Sequence, residues 1–161
     1  MKALLPEFAS RIEHPRVAFQ GIEGSFSDGA CIKVFGPDVD RTGFDHFHYV
    51  VEGVEAGEFD YGVLPIENSS TGSINDVYDL LNDSRCYIVD ETSLEITQNL
   101  MAAPGTTLED VKYVYSHPQG LMQTAKYLDK HPKWRQISVA NTAVAAKKVL
   151  EDEDVTQAAV C

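Results

Sequence analysis

The chain has 161 residues, of which 43 % are hydrophobic and 24 % charged, so it can bury a core as one domain or as two small lobes. Its formal net charge of −12 argues against a nucleic-acid partner, which would require basic patches. No apolar run approaches the roughly 20 residues of a membrane helix, and Pro6 interrupts the apolar start too early for a secretory signal. We therefore expect a cytoplasmic protein that does not contact a membrane.

The cysteines and histidines do not form a metal-binding pattern. Cys31, Cys86 and Cys161 are odd in number and widely spaced, which favours reduced, buried thiols over disulfides or a zinc site. His46 and His48 would point to the same face of a strand, but no third ligand is close in the sequence, and a solvated pair is the better interpretation. No dinucleotide fingerprint, Walker loop or serine nucleophile elbow occurs.

The first half of the chain alternates strands with helices after an unpatterned start. Residues 1–15 hold few apolar side chains and are interpreted as a linker or the tail of an upstream domain. Strands are predicted over 16–20 and over 61–65, the second of them buried. Helices are predicted from a cap at Ser27 to Phe35, where Gly36-Pro37 stops the helix, and over 49–56 and 73–81.

The second half repeats this alternation after a long extended segment. Residues 86–102 are predicted to be extended and long enough to cross between two lobes. Strands are predicted over 111–115 and 136–139 and from residue 158 onward, and helices over 119–130 and 143–150. The pattern predicts an α/β fold of two lobes, 16–92 and 93–161, with mainly parallel sheets around a cleft. A single doubly wound sheet is the alternative.

Four predicted strand-to-helix junctions carry small hydroxyl or amide side chains. In open α/β sheets, ligands bind at the carboxyl ends of the strands, where helix N-termini offer free N–H groups and a positive dipole end. Several such ends facing one cleft can hold carboxylates despite the negative net charge. Ordinary N-caps, each contributing about 1 kcal/mol to helix stability, are the alternative. The junctions are Gly24-Ser-Phe-Ser27, Asn68-Ser-Ser-Thr-Gly-Ser73, Ser116-His-Pro-Gln119 and Asn141-Thr142.

At these junctions the sequence resembles the prephenate dehydratase family from Arg16 to Cys161. The opening strand and loop, Val17-Ala-Phe-Gln-Gly-Ile-Glu-Gly-Ser-Phe-Ser27, resembles that of the family, and Asn141-Thr-Ala143 lies where the family has a similar element. Pro65-Ile-Glu-Asn-Ser69 and Ser116-His-Pro-Gln119, in this order and spacing, are highly specific. The resemblance implies two α/β lobes similar to periplasmic binding proteins. It also implies decarboxylation and dehydration of prephenate to phenylpyruvate in phenylalanine biosynthesis, with no metal or organic cofactor.

The resemblance also assigns expected roles to site residues. Asn68 and Gln123 match polar residues of the family's catalytic site. Glu67 is either a general acid, if burial raises its pKa, or a structural carboxylate. His117 is expected to belong to the turn rather than to act as a base. The expected donors to the substrate carboxylates are Ser25, Ser69, Gly72, Ser116 and Thr142.

One family motif does not occur in this sequence. The family continues into a helix and a return strand bearing Thr-Arg-Phe, whose threonine is regarded as central to catalysis, and then usually into an ACT domain. We therefore interpret the chain as truncated and expect little activity from residues 1–161 alone. We also expect a homodimer and, in the parent protein, an upstream chorismate mutase. An arogenate dehydratase, a non-catalytic anion-binding module and an inactive fragment remain the alternatives.

Overall fold

The computed structural model describes residues 12–69 and 72–161. The chain divides into two compact units, of which the first ends at Leu94 and the second spans Glu95–Cys161. Each unit contains its own mainly parallel sheet with helices, so the predicted α/β class is confirmed. The alternative of a single doubly wound sheet is wrong, because the strands of the two units belong to separate sheets.

The first unit is built on a three-stranded parallel sheet of order β2-β1-β3, in which β1 pairs with both neighbours. Two helices connect these strands, and a two-stranded antiparallel hairpin and a third helix follow them. The elements are β1 Arg16–Gln20, α1 Phe26–Phe35, β2 Asp40–Phe44, α2 Phe47–Glu55, β3 Tyr61–Val63, β4 Glu67–Asn68, β5 Gly72–Ser73 and α3 Asn75–Asp83.

The core of the first unit lies where α1 covers the central strand. Val17 and Phe19 of β1 pack with Cys31 of α1, and Phe35 and Tyr61 extend the cluster at its margin. Desolvation, together with the nearby carboxylate of Asp28 and against the influence of Arg41, raises the pKa of the Cys31 thiol to about 12. This thiol is therefore an inert apolar group in the native state.

Several boundaries in the first unit differ from the prediction. Ser25, not Ser27, is the N-cap of α1, and its hydroxyl accepts from the backbone N–H of Asp28. Strand β2 was not predicted, because its sequence Asp-Arg-Thr-Gly-Phe has a single large apolar side chain. Strand β3 is three residues long and only partly buried, so the prediction of a buried strand over 61–65 is wrong. His46 occupies the N-cap position of α2 without a side-chain hydrogen bond, and His48 lies inside the helix, not on a strand.

The second unit is a four-stranded sheet of order β6-β9-β7-β8, in which β7, β8 and β9 are parallel and β6 is antiparallel to β9. Its strands are β6 Leu100–Ala102, β7 Tyr113–Ser116, β8 Arg135–Ser138 and β9 Gln157–Val160. Its helices are α4 Pro118–Gln123, α5 Ala125–Leu128 and α6 Thr142–Asp152.

Alternate residues of the strands serve two cores, one on each face of this sheet. Val114 and Val160 face a cluster with Leu121, Leu128 and Trp134. The intervening strand residues, Tyr115 and Ala159, pack instead against Ala145 and Val149 of α6. Helices α4 and α5 thus cover one face and α6 the other, as the period of two along a strand requires.

The predicted helix over 119–130 is interrupted at Thr124. The Thr124 hydroxyl donates to the carbonyl of Gly120 at 2.7 Å and approaches that of Leu121 at 3.4 Å, so it competes with the helical backbone bonds. The chain consequently forms two short helices. In the long segment predicted as extended, regular strand pairing is limited to Leu100–Ala102.

The described residues, 12–69 and 72–161, include no helix long and apolar enough to cross a membrane. Within the same residues, no group of three or more histidine, cysteine or acidic side chains could hold a metal ion. All three cysteines are free, but only Cys31 is buried, so the prediction of buried thiols is wrong for Cys86 and Cys161.

Candidate functional site

Ser25 and the Glu67-Asn68 pair each follow one of two neighbouring parallel strands of the first unit. Strands β1 and β3 pair in register from Val17 with Tyr61 to Phe19 with Val63, so their carboxyl ends meet at one edge of the sheet. The loop that ends in Ser25 leaves β1 at this edge, and the segment leading to Glu67 and Asn68 leaves β3 there. In α/β sheets this is the edge at which ligands bind.

The loop after β1 is fixed by backbone hydrogen bonds. The Gly21 N–H donates to the Phe44 carbonyl at 2.7 Å, and the Ser25 N–H donates to the Ile22 carbonyl at 3.0 Å. Gly24 has a φ of 81°, a conformation that favours glycine. The loop therefore holds Ser25 at the start of α1. The bond from the Asp28 N–H to the Ser25 hydroxyl, at 3.3 Å, does not use the hydroxyl hydrogen.

A buried carboxylate beneath this loop anchors it. Asp28 is 3 % exposed, and one of its oxygens accepts from the Gly24 N–H at 2.9 Å. Its other oxygen pairs with the Arg41 Nε at 2.5 Å, while the Arg41 Nη1 donates to the Pro37 carbonyl. The hydrogen bond to Asp28 raises the pKa of Arg41, so the guanidinium keeps its positive charge. No sequence pattern predicted this anchor.

A cavity of about 390 Å³ opens beside the same loop, at the ends of β1 and β2. Its lining includes the carboxylates of Glu23 and Asp45 together with the rings of Phe44 and Tyr49. Two carboxylates would repel a dianion. This cavity is therefore not the anion-binding site predicted from the sequence.

The junction after β3 is a hairpin rather than a helix N-terminus, so the predicted strand-to-helix geometry is wrong here. Glu67 pairs with Ser73 and Asn68 with Gly72, and α3 begins only at Asn75, without a side-chain cap. Gly72 has a φ of 79°. The Glu67 and Ser69 side chains are exposed and Asn68 is half-buried. The burial on which an acid role for Glu67 depends is thus absent within this unit.

The corresponding junctions of the second unit form true helix caps. The His117 Nδ1 accepts from the Gln119 N–H at 3.2 Å, and the Asn141 side chain accepts from the Val144 N–H at 2.8 Å. His117 is therefore part of the turn, as expected. Thr142 is the first residue of α6 and is half-buried.

Ser116 has a structural role within the second sheet. It is 0 % exposed, and its hydroxyl donates to the Val160 carbonyl at 2.6 Å. A hydroxyl has one hydrogen to donate, and this one is engaged between β7 and β9. The expectation that Ser116 donates to a substrate carboxylate does not agree with this geometry.

Gly120 lies between Ser116 and Thr142 and brings the start of α4 close to both. A Cβ atom at position 120 would lie 2.5 Å from the Ser116 hydroxyl oxygen and 3.5 Å from the Thr142 methyl carbon. The absence of a side chain at position 120 therefore sets the distance between α4, β7 and the start of α6.

Gly120→Ala is expected to destabilise the chain by up to about 2 kcal/mol. Alanine in a helix normally gains about 1 kcal/mol over glycine, but overpacking costs about 1–3 kcal/mol, and Ser116 cannot retreat without losing its bond to Val160. In a Ser116→Ala background the nearest atoms are the Thr142 methyl carbon at 3.5 Å and the Cβ of residue 116 at 3.6 Å, both ordinary contacts, so there the same change should be neutral or stabilising. Urea unfolding of the parent, Gly120→Ala, Ser116→Ala and the double variant measures the four free energies of unfolding. A Gly120→Ala single variant more stable than the parent would contradict the prediction.

Gln123 is the last residue of α4 and is exposed within its unit. Its Oε1 accepts from the Nε2 of Gln98 at 3.0 Å. Gln98, which no sequence motif indicated, lies just before Asn99. The Asn99 N–H donates to the Cys161 carbonyl at 2.7 Å, and the Asn99 carbonyl accepts from the Cys161 N–H at 3.0 Å. Because β6 is antiparallel to β9, Gln98 enters the sheet at the carboxyl edge of the parallel strands.

The two carboxyl edges thus present hydroxyl and amide groups rather than a nucleophile with its base. Within the first unit these are Ser25, Asn68 and Ser69, and within the second Gln98, Gln123 and Thr142. Such groups suit orientation and hydrogen-bond donation to developing negative charge.

Comparison with known proteins identifies the family. The family model described as prephenate dehydratase matches residues 17–161. The chain belongs to the prephenate dehydratase family. The prediction made from the Pro-Ile-Glu-Asn-Ser and Ser-His-Pro-Gln motifs is therefore confirmed. This is a family of lyases in aromatic amino-acid biosynthesis.

Curated relatives in this family include both prephenate and arogenate dehydratases. The chain is 38 % identical over 146 residues to a bifunctional chorismate mutase/prephenate dehydratase of Enterobacter agglomerans, covering 86 % of this chain and 38 % of the relative. It is 39 % identical over 134 residues to arogenate dehydratase/prephenate dehydratase 1, chloroplastic, of Arabidopsis thaliana, covering 83 % of this chain and 34 % of the relative. The chain thus spans well under half the length of these relatives.

Solved structures of the family share the fold. The prephenate dehydratase of Arthrobacter aurescens in complex with L-Phe superposes with a TM-score of 0.82 at 31 % identity, covering 91 % of this chain and 49 % of that one. A protein described as GqqA, a novel type of quorum quenching acylase, superposes with a TM-score of 0.79 at 28 % identity, covering 90 % and 52 %. The fold is therefore also found in a protein described by another activity.

Proposed function

We propose that the protein acts as a prephenate dehydratase, converting prephenate to phenylpyruvate with loss of CO₂ and water. The observation that carries the proposal is the placement of the family motifs. Glu67-Asn68 and Gln123 follow parallel strands at the ligand-binding edge of their respective sheets. Membership of the family supports the same assignment.

The reaction explains why amides and hydroxyls suffice. The electron pair of the bond to the ring carboxylate enters the ring as CO₂ leaves. The C–O bond of the ring hydroxyl breaks, and its electron pair leaves with the oxygen. The ring becomes aromatic, which drives the reaction, and the departing hydroxide takes up a proton to become water. The enzyme must orient the dianion and donate hydrogen bonds to the leaving oxygen.

In this proposal Asn68 and Gln123 are the principal donors in catalysis. Ser25, Ser69, Gly72 and Thr142 hold the substrate carboxylates through hydroxyl and backbone N–H groups. Ser116 supports the second sheet instead, because its hydroxyl hydrogen is used by Val160. Glu67 has either the acid or the structural role, which Glu67→Gln separates by its effect on the pH profile of turnover.

The similarity to the Arabidopsis relative supports a second candidate, arogenate as substrate. Arogenate has an amino group where prephenate has a keto group, and the same elimination applies. The full-length protein that carries this sequence should be assayed with both compounds at neutral pH against a no-enzyme control, because prephenate aromatises spontaneously in acid. Higher kcat/KM for prephenate is expected. A preference for arogenate would replace the proposal with the second candidate, and turnover of neither would refute both.

Residues 1–161 alone should show little or no turnover in the same assay. The sequence contains no Thr-Arg-Phe motif, so a hydroxyl donor and a cation of the family pattern are missing from it. One aimed donor alone is worth about 10²–10³ in kcat. Activity of residues 1–161 close to that of the full-length protein would show that the motif is dispensable.

The similarity to bifunctional relatives supports a chorismate mutase upstream in the parent protein, and a homodimer also remains our proposal.

A further inference from the structure

We propose that Gln98 is a positioning residue that sets the orientation of the Gln123 side-chain amide toward the substrate. The inference rests on the proposed function and extends it to a residue outside the family motifs quoted above. The hydrogen bonds and packing contacts that carry it join residues of the second unit.

The bond between the two side chains fixes which end of Gln123 faces Gln98. The Gln98 Nε2 donates to the Gln123 Oε1 at 3.0 Å. An amide whose oxygen is held in this way presents its NH₂ group in the opposite direction. Gln123 can act as a hydrogen-bond donor to a leaving oxygen only through that NH₂ group, so the bond selects the orientation that the reaction requires.

The backbone places Gln98 where it can do this. Asn99 pairs with Cys161 in both directions, which extends the ladder between β6 and β9 by one residue. Side chains two residues apart on a strand share a face, so Gln98 lies on the same face as Leu100. Leu100 packs against the cluster that includes Leu121 of α4, and this is the face on which α4 carries Gln123.

The Gln98 side chain contains a hydrogen-bond acceptor without a donor among the described residues, which indicates that its amide has a role beyond packing. The Oε1 of Gln98 is buried and receives no hydrogen bond from the part of the chain that the structure describes. A buried acceptor without a donor is destabilising, and methionine would fill similar space without that cost. Local costs of this kind are expected at functional sites.

The test uses Gln98→Met and Gln98→Glu in the full-length protein. Gln98→Met removes both the donor and the unsatisfied oxygen, so it should be at least as stable as the parent in a thermal melt while kcat falls about 10-fold. Gln98→Glu places a carboxylate against the Gln123 Oε1 and turns the amide over, so kcat should fall about 10- to 100-fold, with KM changed less than about 3-fold. Gln136→Glu, on the exposed edge strand β8, is the matched control and should retain parental kcat.

A double variant separates this inference from the proposed function. In a Gln123→Ala background, Gln98→Met and Gln98→Glu should change kcat by less than about 2-fold, because the amide to be oriented is gone. If Gln123→Ala alone keeps parental kcat, the proposed role of Gln123 fails. If Gln123→Ala loses activity but both Gln98 variants keep it, or if the losses simply multiply in the double variants, the positioning role is overturned while the proposed function stands.

Discussion

Asn68→Ala is expected to lower kcat for prephenate by about 100-fold or more in the full-length protein, with the fold retained. Removal of one donor aimed at developing charge has an effect of this size. The hairpin pairing should be kept, because Asn68 pairs with Gly72 through the backbone, which alanine preserves, and a thermal melt measures any cost in stability separately. A loss of turnover without a loss of stability would therefore reflect chemistry.

Asn82→Ala provides the matched control for this substitution. Asn82 is an exposed residue of α3 in the same unit, and its side chain donates only to the neighbouring Asp83 among the bonds described, at 3.3 Å. Its replacement should leave both kcat and the melting temperature unchanged. If Asn68→Ala retained more than about a tenth of parental turnover, Asn68 would not be a principal donor.

Arg41→Met is expected to lower the temperature at which the first unit unfolds by at least about 10 °C, whether that unit melts alone or together with the second. Methionine keeps much of the apolar stem of arginine but leaves the Asp28 carboxylate, 3 % exposed, without its cation. Removing one partner of a buried ion pair is far more destabilising than the pair is stabilising. The loop after β1 should also loosen, because the same carboxylate holds the Gly24 N–H at 2.9 Å.

Arg85→Met tests whether burial is the cause. Arg85 pairs with Glu55 at 3.7 Å in the same unit, but its side chain is 86 % exposed. Exposed ion pairs of this kind contribute little to stability, so Arg85→Met should lower the melting temperature by less than about 2 °C. Combining Arg41→Met with Asp28→Leu should restore part of the stability, because no buried charge then remains. Equal small shifts for Arg41→Met and Arg85→Met would show that the Asp28 pair does not anchor the loop.

The fold class could be predicted because the buried strands are strongly apolar. Strands β1, β7 and β9 stand out as short runs of valine, alanine and aromatic residues, and they are the central strands of their sheets. Edge strand β2 was missed because its burial is low and its sequence polar. The break at Thr124 was missed because a helical pattern does not show that a threonine hydroxyl will bond to the preceding turn.

The candidate site could be predicted at the level of residue types and less well in detail. Asp28, three residues after Ser25, was a readable signal of the true cap of α1. Its pairing with Arg41 depends on β2, which was not predicted, so no sequence pattern led to it. Gln98 lies outside every helix and strand, where a polar side chain carries no signal until the ladder beside it is known.

The separate cores give each unit a native spectroscopic or chemical reporter. Trp134, the single tryptophan of the sequence, is buried in the second unit with its ring stacked on His131 at 3.9 Å, so its fluorescence follows that unit alone. Cys31 is 0 % exposed in the core of the first unit, whereas the other two thiols are partly accessible. A thiol reagent should therefore modify Cys86 and Cys161 quickly and Cys31 slowly, and the slow rate measures how often the core of the first unit opens. Together the two signals distinguish one-step unfolding from independent unfolding of the halves without any engineered label.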